Sequence, residues 1–398
     1  MLSAKTIEIV KSTAPVLERY GQDITKRFYE LMFKAHPELL NIFNQTNQKT
    51  GRQQTALANT VYAAAVYIDQ LDKIIPVVKQ IGHKHRSIGI KPEHYPIVGE
   101  HLLLAIKDVL KDAATDEIIH AWAEAYGVIA DAFISVEQEM YEEAENKEGG
   151  WKDFKELYVA NKVKESDVIT SFYLKPKDGS GVSSFLPGQY VSIRVNIPGK
   201  EYTHIRQYSL SDAPNGEYYR ITVKREADDQ KPEGAVSNYL HDYVKEGDTI
   251  EVSAPAGEFV LNMESEKPLV LISGGVGITP LMSMLKVAAK EQPDRDMTFI
   301  HAARSGHYHA FRKEAASLDA KMFVCYEKPT EEDVAAQNFD KEGYITAEWL
   351  QQVIENKDAD YYMCGPLSFM KAIYQALQEI GVKEESIHYE FFGPNMKL

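Results

Sequence analysis

Cysteine is nearly missing: the chain has two in 398 residues, Cys325 and Cys364, and they do not form a CxxC pair. A disulfide framework and a cysteine-ligated iron–sulfur cluster both need more than that. Positive charge is scarce as well. Lys and Arg number 44 against 59 Asp and Glu, a formal net charge of −15. Nucleic acids and anionic membranes attract basic patches, so neither is expected as a partner. No apolar run approaches the length of a membrane span. The N-terminal stretch carries charges throughout and lacks the apolar centre of a secretory signal. The expected setting is therefore a reducing cytoplasm. Internal repeats and low-complexity tracts are absent, and the glycine-rich turn near residue 275 lacks the GxGxxG spacing.

What is present is enough chain for more than one core. A length of 398 residues predicts two or three domains, and 44% hydrophobic with 26% charged residues is ordinary for a globular protein. Residues 1–145 read as successive helices, with apolar residues at three- and four-residue steps: Ile119, Trp122, Tyr126, Ile129, Phe133, Met140. Pro37 and Pro92 stand where helices can begin, and Pro76 near another start. Gly149-Gly150 reads as a boundary. Beyond it come short β-branched and aromatic runs at 158–163, 169–174, 190–195, 218–223 and 249–252, with one short helix at 236–243. They predict an antiparallel barrel. After Pro268, strands and helices alternate, which implies a parallel sheet with crossover helices. The predicted fold class is thus multidomain: an all-α domain over 1–147, an antiparallel β-barrel over 151–262, and an α/β parallel-sheet domain over 267–398.

The last two domains carry ligand-binding patterns. Leu269 to Pro280 reads LVLISGGVGITP, a buried strand running into a glycine turn that opens a helix. In that setting Gly275, Val276, Gly277, Ile278, Thr279 and Pro280 can bring backbone N–H groups to a pyrophosphate, or form only a tight turn. Arg206-Gln207-Tyr208-Ser209 lies on a predicted barrel strand. Arginine can grip a flavin phosphate bidentately, Tyr208 shares its strand face and can cover the flavin ring, and Ser209 can reach the ring edge. Tyr190 adds a second aromatic, and Gly234, Val236 and Ser237 open the short helix, whose N–H groups suit a pyrophosphate. These segments resemble, in order and spacing, the family of ferredoxin–NADP reductase. The resemblance places nicotinamide beside Cys364-Gly365-Pro366. The alternative for Cys364 is a packing thiol. It also assigns FAD contacts to the C-terminal Glu390, Phe391, Phe392, Gly393 and Pro394, with Phe392 shielding the flavin. Arg304, after the second strand of the α/β domain, either meets a 2′-phosphate of NADPH or is a solvated loop arginine.

The helical half holds a second constellation. His85 falls on an apolar helical stripe with Ile74, Val78 and Ile81. Glu137 sits one turn after Phe133 on another buried stripe, and a buried carboxylate needs a partner. Tyr95 begins a following helix. A His–Tyr–Glu set makes the imidazole more electron-donating toward iron. Gln53 and Leu57 lie one turn apart, and Tyr29 stands among Phe28, Met32 and Phe33. Tyr29 and Gln53 either donate hydrogen bonds to dioxygen at a haem or are a core aromatic and a helix-terminal amide.

Taken together, His36-Pro37-Glu38-Leu39, Ile42-Phe43, Gln53 with Leu57, Lys84-His85, Ile90-Lys91-Pro92 with Tyr95, Tyr126-Gly127 with Glu137, and Gly149-Gly150-Trp151 resemble bacterial flavohaemoglobin over nearly the whole chain. The resemblance implies haem b, FAD and NAD(P)H as cofactors. It implies His85 as iron ligand, Tyr95 and Glu137 as its partners, Phe43 against the haem, and Lys84 toward flavin and haem. It further implies nitric oxide dioxygenase activity, with electrons passing from NAD(P)H to FAD to haem and NO and O2 becoming nitrate. Alternatives are reduction of NO without oxygen or of alkyl hydroperoxides, and an O2 or NO sensor or store. A lipid or azole-type ligand in the distal pocket is a further expectation, and no obligate protein partner is expected. The loop Glu226–Glu233 departs from the family pattern, being longer and more charged.

Overall fold

The computed structural model describes residues 2–43, 48, 51–226 and 234–393. The helical part contains α1 (Ala4–Ser12), α2 (Ala14–Ala35), a 3-10 turn (Pro37–Asn41), α3 (Arg52–Tyr67), α4 (Ile75–Ile88), α5 (His94–Leu110) and α6 (Asp116–Asn146). Ser3 and Thr115 cap α1 and α6 with their hydroxyls. Pro37 and Pro76 do stand in first turns, where a missing N–H costs nothing. After Pro92 the helix waits until His94. The α4 helix stops at Gly89, left-handed at φ 84°, whose N–H and that of Ile90 return to the last carbonyls.

Next come β1 (Phe154–Lys164), β2 (Ile169–Lys175), β3 (Tyr190–Val195), β4 (His204–Ser209), β5 (Tyr219–Lys224), α7 (Ala235–Asp242) and β6 (Thr249–Ser253). The strands form an antiparallel sheet ordered β4-β3-β6-β1-β2-β5. A bridge between Leu210 and Ile221 joins the chain just past β4 to β5, so the two edges meet and the sheet rolls up. Its interior is apolar, with Leu157, Phe172, Val191, Ile193, Tyr219 and Ile221 fully buried.

The last part contains β7 (Leu269–Gly274), α8 (Ile278–Glu291), β8 (Met297–Ala303), α9 (Arg312–Ala316), β9 (Lys321–Tyr326), α10 (Glu331–Ala336), β10 (Lys341–Glu342), α11 (Ala347–Val353), β11 (Asp360–Cys364), α12 (Leu367–Glu379) and β12 (Ile387–Glu390). The sheet is parallel, ordered β10-β9-β8-β7-β11-β12, with an apolar cluster on each face. The chain leaves β7 in one direction and returns on its other side through β11. The C-terminal ends of β7 and β11 are therefore neighbours, which is where such sheets bind ligands. Among the described residues no helix is long and apolar enough to cross a membrane.

Candidate functional site

In the helical part, α4, α5 and α6 converge on one imidazole. His85 Nδ1 lies 2.7 Å from Glu137 Oε1 and 3.2 Å from the Tyr95 hydroxyl, and Tyr95 donates to the same Glu137 oxygen at 2.6 Å. Glu137 is only 3% exposed. An ionised carboxylate there is paid for by these two donors. Burial first, and the neighbouring Glu137 charge second, push the Tyr95 phenol far above its ordinary pKa, so it stays a donor. The Phe133 ring lies 5.8 Å from the imidazole, and Tyr126 fixes α5 through the Tyr95 carbonyl at 2.6 Å. With Nδ1 committed, Nε2 is the nitrogen left to bind a metal.

The opposite side is built from α2 and α3. Tyr29 is buried, and burial raises its hydroxyl pKa while the Gln48 and Gln53 side chains hydrogen-bond it. Tyr29, Phe33 and Phe43 form an aromatic triangle with centroid distances of 5.4–5.9 Å. Leu57 packs on the same cluster. The apolar side chains here fall into two clusters, one holding Tyr29 and the other Tyr95 and Phe133, with Ile42 and Leu71 between them. Phe43, Gln53, Leu57 and His85 are only half-buried. A flat apolar group with a single axial ligand fits between such walls. Lys84 is half-buried with its ammonium desolvated, which lowers its pKa. A cavity of about 390 Å³ touches Tyr29, Phe33 and Tyr202. Nothing at it favours the lipid or azole-type ligand.

On the barrel, alternation decides who shares a face. Tyr190 opposes Ser209 and Ser192 opposes Gln207, while Arg206 and Tyr208 oppose Ile193 and Val191. Tyr190, Gln207 and Ser209 therefore share one face, and Arg206 and Tyr208 the other. Tyr190, Arg206, Gln207 and Tyr208 are half-buried and Ser209 buried. Gly234 begins α7, and a Cβ there would press on Glu226 and Ser237. Ser237 Oγ donates to the Gly234 carbonyl and accepts from the Glu226 N–H, so it shapes the loop, while Val236 is buried in the barrel core. Residues 227–233 of the charged loop lie outside the described residues, as does Pro394.

At the edge of the parallel sheet, Gly275 is left-handed at φ 54° and Gly275–Gly277 form a 3-10 turn into α8. A Cβ on Gly277 would collide with the Cys364 carbonyl, and one on Gly274 or Gly365 with the Phe369 ring. The loops after β7 and β11 thus touch backbone to backbone. Ile278, Thr279 and Pro280 form the first turn of α8, with Thr279 Oγ1 on the Val276 carbonyl at 2.9 Å. Pro366 caps α12. The Cys364 side chain is fully buried in the core and burial raises its thiol pKa, which suits a packing thiol. Glu390 pairs with Cys364 across β11–β12; the residue is half-buried, yet burial of its carboxyl pushes it up to about 8. Phe391 packs on Tyr389 and Phe392 is 48% exposed, free to cover a planar ligand, with Gly393 beside it. Arg304 is exposed over the Tyr308 ring.

Three family models match consecutive stretches: Globin at residues 26–133, Oxidoreductase FAD-binding domain at 156–261, and Oxidoreductase NAD-binding domain at 271–375. Flavohemoproteins of Bacillus cereus and Bacillus subtilis are 64% and 60% identical, each covering all of this chain and at least 99% of the relative. The chain belongs to the flavohemoprotein family. A Rhizobium meliloti flavohemoprotein is 49% identical at the same coverage. The crystal structure of flavohemoglobin from Malassezia yamatoensis, with bound FAD and heme, superposes with a TM-score of 0.84 at 27% identity, covering 98% of this chain and all of that one. The expected fold class therefore holds, as do haem, FAD and a nicotinamide nucleotide as cofactors, and the chain is an oxidoreductase.

Sequence reasoning missed the seam between the helical part and the barrel. Arg86 and Ser87, directly after His85, are buried against barrel residues, and His83 lines an interdomain cavity of about 410 Å³ with its Nδ1 unpartnered. An arginine and a serine on the faces of α4 away from the His85 stripe were the available signal, and it is a weak one.

Proposed function

We propose that this protein is a nitric oxide dioxygenase, converting NO and O2 to nitrate with electrons from NAD(P)H. The observation that carries the reading is the carboxylate–phenol grip on His85 Nδ1. Bound FAD accepts a hydride and releases its electrons singly, and bound haem supplies the iron at which O2 and NO react. The chain does the rest. Glu137 fixes the His85 tautomer and makes Nε2 a stronger donor, which reversible oxygen storage does not require. Tyr29 and Gln53 present hydrogen-bond donors to a diatomic ligand, while Phe43 and Leu57 keep water out. Arg206 holds flavin phosphate, and the α7 N-terminus with Gly234, Val236 and Ser237 faces its pyrophosphate. Tyr208, on the same strand face as Arg206, would cover the flavin ring, and Tyr190, Gln207 and Ser209 from the other face, with Glu390, Phe391, Phe392 and Gly393, would lie at its edge. The turn Gly275–Pro280 receives the nicotinamide dinucleotide, against Gly365 and Pro366. Arg304 reaches toward its adenosine end, and Lys84 offsets negative charge near the haem edge. This reading divides the chain at 1–147, 151–262 and 267–398. Two NO, two O2 and one NAD(P)H then give two nitrate, one NAD(P)+ and one proton.

The test is rapid mixing of the loaded enzyme with NAD(P)H, following flavin and haem bands separately, with product analysis in air and without oxygen. Nitrate should dominate in air. Nitrous oxide as the main product, or turnover only with alkyl hydroperoxides, would favour the alternative reductases. His85→Ala should abolish haem reduction and nitrate formation while flavin bleaching persists; loss of flavin bleaching as well would sink the assignment of roles to the two halves.

A further inference from the structure

The helix that carries His85 does not end in solvent. Its last turn abuts the barrel, with Arg86 and Ser87 buried there, and three consecutive residues point to three places. His85 faces Glu137 and Tyr95. Arg86, 4% exposed, extends its guanidinium to the Ala254 carbonyl at 3.3 and 3.4 Å and to the Pro255 carbonyl. Ser87, fully buried, donates to the Lys84 carbonyl at 2.8 Å and accepts from Ser192 Oγ at 3.0 Å.

The barrel side completes the circuit. Ser192 N–H donates to Ser253 Oγ at 2.9 Å, and Ser253 Oγ donates to the Ala254 carbonyl at 3.1 Å, the same oxygen that Arg86 holds. Arg86, Ala254, Ser253, Ser192 and Ser87 therefore form a ring across the domain seam, hydrogen-bonded from Arg86 round to Ser87 and closed by the peptide bond between those two. Two branches leave it toward the flavin side. Gln207 Nε2 donates to Ser192 Oγ at 3.1 Å, and the Tyr190 hydroxyl is a hydrogen-bond partner of Ser87. A domain seam needs only apolar contact to cohere. Buried hydroxyls and a buried guanidinium cost desolvation, and their return is a fixed register between two bodies.

We propose that Arg86 and Ser87 are positioning residues for electron transfer. The Ser87 hydroxyl is the joint that holds the flavin-facing side chains Gln207 and Tyr190 at a set distance from the helix turn bearing His85. The inference rests on the flavin and haem roles proposed above. It assigns a function to the two residues after the proposed metal ligand, whose observed partners are all protein atoms. With both groups bound, the latch would set the separation that a single electron has to cross.

The test uses the enzyme loaded with haem and FAD, in native form and as Ser87→Ala, Ser192→Ala and the double variant. Rapid mixing with NADH without oxygen separates flavin bleaching from haem reduction. In Ser87→Ala and in Ser192→Ala, haem reduction should slow about tenfold, below the roughly hundredfold that a full ~1 Å misplacement of a reacting pair can cost. The double variant should be no slower than either single one, because both break the same joint. Hydrogen exchange of the backbone amides at 84–90 and 253–255 should speed up in all three variants. Haem reduction at the native rate in Ser87→Ala, additive slowing in the double variant, or unchanged exchange would each overturn the latch. A native enzyme whose flavin bleaches while its haem stays oxidised would instead overturn the proposed function, so the two failures are distinguishable.

Discussion

Glu137 illustrates how one side chain takes its meaning from its partners. At 3% exposure it is a liability unless paired, and the two donors that satisfy it are His85 and Tyr95. Glu137→Gln keeps the shape and removes the charge. The iron–histidine stretching frequency of the ferrous protein should fall, and nitrate turnover should drop about tenfold or more, in line with other altered partners of metal ligands. An unmoved frequency in resonance Raman spectra would remove Glu137 from the network. Glu390 is the second informative residue. Burial pushes its carboxyl up to about 8, so it is neutral below that pH and charged above it. In the proposed flavin site, a negative charge at Glu390 would oppose arrival of a hydride. Flavin reduction by NADH should therefore slow as pH rises through about 8 and stay level in Glu390→Gln; parallel profiles for both proteins would contradict this. The residues of both sites were legible as types and spacings. The expected His–Tyr–Glu set is met in space, with both partners on Nδ1 of His85. For Cys364 periodicity left a packing thiol and a nicotinamide contact both open, because it assigns a face and not a neighbour, and the side chain lies in the core.

At the level of elements, the contact between the β7 and β11 loops is what makes a nucleotide edge. Gly277 has no room for a Cβ beside the Cys364 carbonyl. Gly277→Ala must push the two loops apart, with a cost of about 1–3 kcal/mol as for other overpacked sites. The expected outcome is a lower melting temperature and a raised KM for NAD(P)H, with haem spectra unaffected. The long helices and central strands were readable from the sequence, because α6 repeats its apolar stripe over 31 residues and β7 opens on the apolar run Leu269–Ile272. The missed elements are α9, α10 and α11, of five, six and seven residues, and the two-residue β10. Too short to show a period, they are held by specific bonds: the Asp333 carboxylate accepts from the N–H groups of Thr330 and Gly306 and from Asn338.

Across the whole molecule, two seams orient three bodies. The seam between helical part and barrel holds the Arg86–Ser87 ring, with Thr203 on Asn41 and the Lys91–Asp153 ion pair beside it. The seam between barrel and α/β domain combines an apolar cluster, with Ile169 and Leu261 against α8, and an ionic one. Arg220 of β5, 3% exposed, holds Glu314 of α9 at 2.9 and 3.1 Å, and Lys286 of α8 bonds both Glu314 and Asp212. Arg220→Leu leaves two carboxylates sharing one lysine, which should destabilise the reductase half by about 3 kcal/mol, as for other broken buried pairs. Scanning calorimetry should show an earlier reductase transition with the haem-linked transition unmoved, and flavin reduction by NADH should slow; a single shifted transition would mean the three bodies unfold as one. The sequence by itself determined the order of the three folds, the cofactor classes and the candidate residues, because those follow from local patterns of apolar spacing and glycine. The tertiary structure alone decided which face of β4 turns toward the helical part and what the residues after His85 hold. Those pairings join residues tens to more than a hundred positions apart, and only packing, not any local rule, brings them together.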